Sequence, residues 1–186
     1  MKNKKSLSYR IYSKKSLKMA EEKTNLLGVN NKLDAVNLLN TRLFISVIVF
    51  IGILYFVDFG YFIAPIVTFV VYQLFFPLVI DSKIEKRRRV LEKDSLYFFE
   101  ILALSLEAGR NIKTAIEVTT NNIDSCLSDE FKKVVKDVNY GKDLDEALEE
   151  LKYRIPSDTV NNIILNIRQS NMFGNNIIGT VYSQIT

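Results

Sequence analysis

The sequence has 186 residues and a formal net charge of +4, and it contains one cysteine, Cys126, and no histidine. A single cysteine excludes an internal disulfide, and the lack of histidine removes the commonest general base and metal ligand. The charge is divided along the chain: residues 1–42 hold ten basic and three acidic side chains, whereas residues 94–186 hold nine basic and fourteen acidic ones. Because the acidic part would repel phosphate, nucleic-acid binding is not expected.

The N-terminal segment, residues 1–41, is basic and is predicted to lie in the cytoplasm beside a membrane, where anionic lipids attract it. Within it, Ser16–Leu27 has the apolar spacing of a short amphipathic helix that ends at Gly28. Asn30 or Asn31 is expected to cap the next helix, which leads into the apolar stretch that follows. A solvated linker is an almost equally good interpretation of this lead-in.

Residues 42–80 are predicted to form two transmembrane helices. The stretch from residue 43 to residue 80 contains a single charged side chain, that of Asp58. One helix of this length would be about 57 Å long, whereas the hydrocarbon core of a bilayer is about 30 Å thick. The sequence Asp58-Phe59-Gly60 is a turn signal. We therefore expect a helical hairpin with spans Arg42–Val57 and Tyr61–Ile80.

Basic flanks on both sides predict the orientation of this hairpin. Residues 81–93 hold six basic and three acidic side chains, and residues 1–42 are also basic. Short basic flanks stay in the cytoplasm, so both termini are predicted to be cytoplasmic. A buried hairpin of a soluble protein fits less well, because a small chain rarely buries two helices that are apolar on every face. A cleaved signal peptide also fits less well, because the apolar stretch starts late and is too long.

Residues 81–186 are predicted to form an all-α cytoplasmic domain. Its first helix carries Leu96–Leu106, which is apolar almost all round and is expected at the centre of a bundle. An internal repeat follows: residues 109–117 and 141–149 both read G-[KR]-[ND]-[IL]-x-x-A-[IL]-E, and residue 174 begins a weaker third copy. In each copy a glycine closes one helix in a left-handed conformation, and Asn111, Asp143 or Asn176 caps the next.

Three such turns predict three helical hairpins and therefore a six-helix bundle. The expected helices are roughly 89–108, 112–122, 128–140, 143–154, 157–173 and 175–186, each with apolar residues at helical spacing. The period also fits tetratricopeptide repeats, but their aromatic and proline signatures are missing. The predicted fold is therefore all-α, with a transmembrane helical hairpin followed by a six-helix cytoplasmic bundle.

The spacing of the three turns resembles the F domain of type II secretion systems. The residues that carry the resemblance are Gly109, Ala115, Gly141, Leu144, Ala147, Leu148, Arg154 and Gly174. The lead-in from residue 26 to residue 43, followed by two spans, is similar to the tight-adherence branch of type IV pilus proteins. The resemblance covers about residues 20–186. Proteins of this family usually continue into further spans, whereas this sequence stops at Thr186.

The resemblance implies a multi-pass platform protein of the cytoplasmic membrane. Such a protein would couple a secretion ATPase to the polymerisation of pilin or pseudopilin subunits and would also contact other platform subunits and the lipid bilayer. It would not be an enzyme and would need no cofactor or metal. The alternative is a membrane-tethered helical adaptor or sensor without a role in secretion. A membrane enzyme is a third class, disfavoured because no nucleophile–base set is visible.

The acidic residues Glu146, Glu149 and Glu150 are candidates for contact with the ATPase, since they lie off the apolar stripe of the fourth predicted helix. The acidic residues at positions 143–150 also have a local explanation, which is at least as good for some of them. Asp143, Asp145 and Glu146 all lie at the start of that helix, where negative charge is favourable.

Overall fold

The computed structural model describes residues 12–31, 33–56, 60–173 and 179. These residues are almost all helical, and no strand occurs among them, which confirms the all-α prediction. The chain divides into two compact units. The first, here called the hairpin unit, contains the chain up to residue 24 and residues 31–84. The second, the bundle unit, contains residues 25–30 and the chain from residue 85 onward.

The hairpin unit holds helix α1 (Lys14–Asn25), helix α2 (Ala35–Phe56) and helix α3 (Gly60–Phe75), which ends in a π-helical turn, Phe76–Asp81. Helices α2 and α3 pack against each other. Two helical stretches, Ala35–Phe56 and Gly60–Glu107, are long and apolar enough to cross a membrane. Only 22% of the most apolar window of each is buried. The core helix of a soluble protein would be mostly buried, so this exposure favours lipid around the hairpin.

The bounds of the spans differ from the prediction. Helix α2 begins at Ala35, so neither Asn30 nor Asn31 caps it; the Asn31 side chain instead accepts a bond from the backbone N–H of Leu33 at 3.2 Å. The second apolar helix continues without a break into the π-helical turn. This turn ends at Asp81, one residue after the predicted end of the second span at Ile80. The predicted turn at Asp58 and Phe59 lies outside the described residues.

Helix α1 overlaps the amphipathic helix predicted at Ser16–Leu27, but it begins and ends two residues earlier. Its buried side chains Leu17 and Ala20 belong to one apolar cluster with residues from the near ends of α2 and of the π-helical turn: Leu38, Leu39, Phe75, Phe76 and Ile80. Lys23 of α1 forms an ion pair with Asp81. These contacts attach α1 to one end of the hairpin, so a solvated linker does not describe this segment.

Helix α4 (Ser82–Glu107) begins in the hairpin unit and belongs to the bundle unit from residue 85 onward. The bundle unit also contains α5 (Ile112–Asn122), α6 (Cys126–Asn139), α7 (Leu144–Lys152) and α8 (Asp158–Phe173). Helices α5 to α8 each pack against the next. Helix α4 contributes Phe98 and Phe99 to the core, where the ring of Phe98 stacks on that of Phe131 with centroids 4.7 Å apart.

Helix α4 is less central than predicted. Its apolar residues were expected to be buried all round, but Leu96, Tyr97 and Leu104 are exposed. Only the stripe that includes Phe98, Phe99, Leu102 and Leu106 packs in the core. A helix on one side of a bundle buries one stripe, and the opposite stripe stays in contact with solvent.

The first two predicted turns are confirmed. Gly109 and Gly141 have φ values of 79° and 97°, in the left-handed region that favours glycine. Asn111 accepts a bond from the N–H of Thr114 at 2.9 Å, and Asp143 accepts one from the N–H of Asp145 at 2.8 Å. The third turn, at Gly174 and Asn176, and the predicted helix 175–186 lie outside the described residues.

Candidate functional site

Three charged side chains from distant parts of the bundle unit meet in its interior. Glu130 on α6 is only 2% exposed. Its Oε1 lies 2.6 Å from Nη2 of Arg87 on α4, and its Oε2 lies 2.9 Å from Nε of Arg154, which follows α7. We call these three residues the Arg–Glu–Arg cluster. A buried carboxylate is tolerated only when it is paired and hydrogen-bonded, and both oxygens of Glu130 satisfy that condition.

The cluster also binds a piece of chain that precedes the first span. The backbone N–H of Val29 donates to Oε1 of Glu130 at 2.7 Å, and Nη1 of Arg87 donates to the carbonyl oxygen of Leu26 at 2.8 Å. The same Nη1 donates to the carbonyl oxygen of Arg154 at 2.6 Å. Residues 25–30 therefore belong to the bundle unit, although more than fifty residues of hairpin separate them from α4 in the sequence.

Glycine is required at position 28 for two reasons. Gly28 has a φ of +92°, which strains any residue with a Cβ. A Cβ added there would also lie 2.6 Å from Cζ of Arg87 and 2.7 Å from Oε1 of Glu130. The segment approaches the cluster so closely that a side chain at this position would collide with it.

Sequence reasoning identified Arg154 through the family pattern but missed Arg87 and Glu130. A signal for Glu130 was available, because it shares the buried face of α6 with Leu127, Phe131 and Val134 at helical spacing. An acidic residue on such a face needs a basic partner. The sequence did not show which of the many arginines and lysines supplies it.

The other residues of the family pattern serve packing and turns. Ala115, Ala147 and Leu148 are buried in the apolar core, and Leu144 packs against it. Gly109 and Gly141 form the two turns described above, and no atom lies within 4 Å of a Cβ built at either. Gly174 lies outside the described residues.

The acidic candidates on α7 are largely engaged within the bundle unit. Oδ1 of Asp145 lies 2.7 Å from Nε of Arg168 on α8, and Glu149 forms an ion pair with the same guanidinium. Glu150 accepts a bond from Lys142 at 2.8 Å, and this bond lowers the pKa of Glu150. Glu146 is exposed and has no ion pair within the described part of the chain. Glu146 is therefore the acidic residue of α7 that is best placed to contact a partner.

Candidate sites of chemistry are the Cys126 thiol and any group of side chains that could bind a metal ion. Burial raises the pKa of the Cys126 thiol, an effect that the nearby Arg87 guanidinium opposes. A raised pKa keeps the thiol protonated and poorly nucleophilic. Among the residues the structure describes, no group of three His, Cys, Asp or Glu could hold a metal ion.

Residues 98–178 match the family described as type II secretion system (T2SS), protein F. Neither the curated proteins nor the solved structures contain a match to the chain. The matched segment includes both described glycine turns, Glu130 and Arg154, whereas Arg87 and Gly28 lie before it. Proteins of this family are structural membrane platform components of type II secretion and type IV pilus systems. The similarity of this chain to type II secretion system protein F therefore extends over residues 98–178.

Proposed function

We propose that this chain is an integral membrane platform protein of a type II secretion or tight-adherence pilus machine, and that it couples a cytoplasmic secretion ATPase to pilin polymerisation. The observation that carries the proposal is the match to protein F at residues 98–178, which begins within the second of two helical stretches apolar enough to cross a membrane. The ATPase supplies the chemical energy, and this chain transmits it. The membrane-tethered adaptor remains the alternative function.

The packing of the bundle unit supports a role in transmission. A part that passes on a mechanical change has to move as one body. The Arg–Glu–Arg cluster joins α4, α6, the end of α7 and the segment 25–30 through charged hydrogen bonds. Such bonds are roughly twice as strong as those between neutral groups. A displacement of one of these segments would therefore be carried to the others.

The ATPase contact is proposed to use the acidic surface formed by Glu146, Glu149 and Glu150. Glu146 is free to act first, since it is exposed. Glu149 and Glu150 would have to exchange Arg168 and Lys142 for basic residues of the ATPase. Exposed charges of this kind affect the rate of association more than the final affinity.

The membrane arrangement is proposed to be multi-pass, with both termini in the cytoplasm. Pilin or pseudopilin subunits and other platform subunits would then be reached within the bilayer. The exposed apolar side chains of α2 and α3, which include Phe44, Ile48, Phe62 and Phe69, provide surface for lipid or for helices of such partners.

Deletion of the gene in its native cell tests this function. We expect pilin to accumulate in the membrane without polymerising, as it would in a strain that lacks the secretion ATPase. A plasmid copy of the wild-type gene should restore surface pilin. Normal amounts of surface pilin or secreted pseudopilin in the deletion strain would contradict the platform function and favour the adaptor.

A further inference from the structure

Arg42 is a buried cation at one end of the membrane hairpin. It is 8% exposed. It lies in α2 where the exposed side chains change from polar to apolar, between Asn40 and Thr41 on one side and Leu43 and Phe44 on the other. This pattern places Arg42 near the boundary between lipid headgroups and hydrocarbon.

The surroundings hold the guanidinium of Arg42 in a fixed plane. Its Cζ lies 3.5 Å from the ring centroid of Tyr72 and 4.7 Å from that of Phe76. Its Nε donates to the carbonyl oxygen of Tyr72 at 2.8 Å. Both rings and the carbonyl belong to the second apolar helix, so Arg42 joins the two helices of the hairpin.

The charge of Arg42 is not balanced within the described part of the chain. No carboxylate there lies within ion-pair distance of it, and neither Nη has a hydrogen-bond acceptor. Lys23, whose Nζ lies 5.5 Å from the centroid of the Phe76 ring, forms an ion pair with Asp81, so this carboxylate is already engaged. Neither Nη nitrogen is fully buried, so an anion from outside the chain can reach both and complete the hydrogen bonds of the guanidinium.

We propose that Arg42 binds the phosphate group of an anionic phospholipid in the leaflet beside α1. A phosphate diester offers two oxygens at the spacing of a guanidinium fork, and the stacked rings leave the two Nη nitrogens to meet them. The exposed lysines Lys14, Lys15 and Lys18 lie on α1, which packs against this end of the hairpin. Their charge would favour a lipid with net negative charge over a zwitterionic one. This inference does not depend on the proposed function.

The test uses the full chain purified in detergent and supplied with phosphatidylglycerol or phosphatidylcholine. The lipid that remains bound is counted after size-exclusion chromatography in about 0.5 M salt, which screens attraction to surface lysines. The wild-type chain should retain about one phosphatidylglycerol and markedly less phosphatidylcholine, as expected for one guanidinium supported by a basic surface. Arg42→Gln should lose that lipid. Arg110→Gln, which removes an exposed arginine of the bundle unit, should retain it.

Three results would overturn the proposal. The first is a wild-type chain that retains no phosphatidylglycerol, a result that needs no variant to fold. The second is Arg42→Gln retaining as much lipid as the wild type while circular dichroism shows the same helix content. The third is inorganic phosphate raising the melting temperature of the wild type as much as phosphatidylglycerol does, which would assign the site to free phosphate. Arg42→Lys should retain an intermediate amount, because it keeps the charge and loses the fork.

Discussion

Oε1 of Glu130 lies 2.6 Å from Nη2 of Arg87, which precedes it by 43 residues, and the two side chains are 2% and 11% exposed. Such a pair forms only when α4 and α6 are packed together. Arg154 and the N–H of Val29 complete the coordination of the carboxylate. Glu130 therefore links α4, α6, the residue that follows α7 and the segment 25–30.

Replacing Glu130 with Gln should destabilise the bundle unit by about 3–5 kcal/mol, because two arginines are left buried without a counter-charge. The free energy of unfolding of the full chain in detergent, measured in urea by circular dichroism, tests this. The matched control is Asp137→Asn, which removes the surface pair with Lys133 and should cost less than about 1 kcal/mol. Similar losses in both variants would show that the cluster contributes no more than a surface pair.

Gly28→Ala should release the segment 25–30 from the cluster. The new Cβ would be strained by the positive φ and would collide with Arg87. Hydrogen exchange at the N–H of Val29 should become faster, since that bond to Glu130 opens. Gly109→Ala is the control: it has a positive φ and open space. It should cost about 1 kcal/mol and leave Val29 protected. Unchanged exchange in Gly28→Ala would contradict the close contact.

The second glycine turn makes a separate prediction about the backbone. Because Gly141 has a φ of 97° and no neighbour within 4 Å of a built Cβ, substitution there tests backbone strain alone. Gly141→Val should lower stability by about 1 kcal/mol or more. Gly141→Asn should cost less, since Asn tolerates the left-handed region. The control is Arg110→Ala, because Arg110 is exposed. Equal melting temperatures for Val and Asn would contradict the turn geometry.

The features that the sequence predicted correctly are those that depend on neighbouring residues. Turns and caps are local, so Gly109, Asn111, Gly141 and Asp143 were predicted with their roles. Helix starts were less accurate: a helix was expected directly after Asn30 or Asn31, whereas α2 begins at Ala35. The boundary of a helix is the part that a local sequence pattern determines least. The Arg–Glu–Arg cluster and the place of Gly28 beside it were missed, since they depend on contacts between residues far apart in the sequence. The ion pair between Glu149 and Arg168, which are 19 residues apart, was missed for the same reason.

The orientation of the hairpin can be tested with a reporter that is active only outside the cytoplasm. Fused at Gly60, the first residue of α3, it should be active. Fused after Lys83 or at Thr186, it should be silent, because the basic flanks keep these positions in the cytoplasm. Activity at residue 186 would rule out the two-span arrangement with both termini inside.

The charge of Glu146 gives a specific test of the ATPase surface. Reversing Glu149 and Glu150 as well would break their bonds to Arg168 and Lys142, so Glu146→Lys alone separates binding from folding. Association with the ATPase should be slower for Glu146→Lys, and the difference should shrink as salt rises. If the rate of association is the same for Glu146→Lys and the wild type at every salt concentration, Glu146 is not part of the interface.

Isolation of the chain from native membranes tests the platform function most directly. Cells that express a tagged full-length chain are cross-linked, and the proteins bound to it are identified by mass spectrometry. We predict that the secretion ATPase and a pilin or pseudopilin subunit are recovered with the wild-type chain, and that Gly28→Ala and Glu146→Lys recover less ATPase. The contradicting result is that neither the ATPase nor a pilin is recovered with the chain, although both are present in the membranes and are cross-linked to other components.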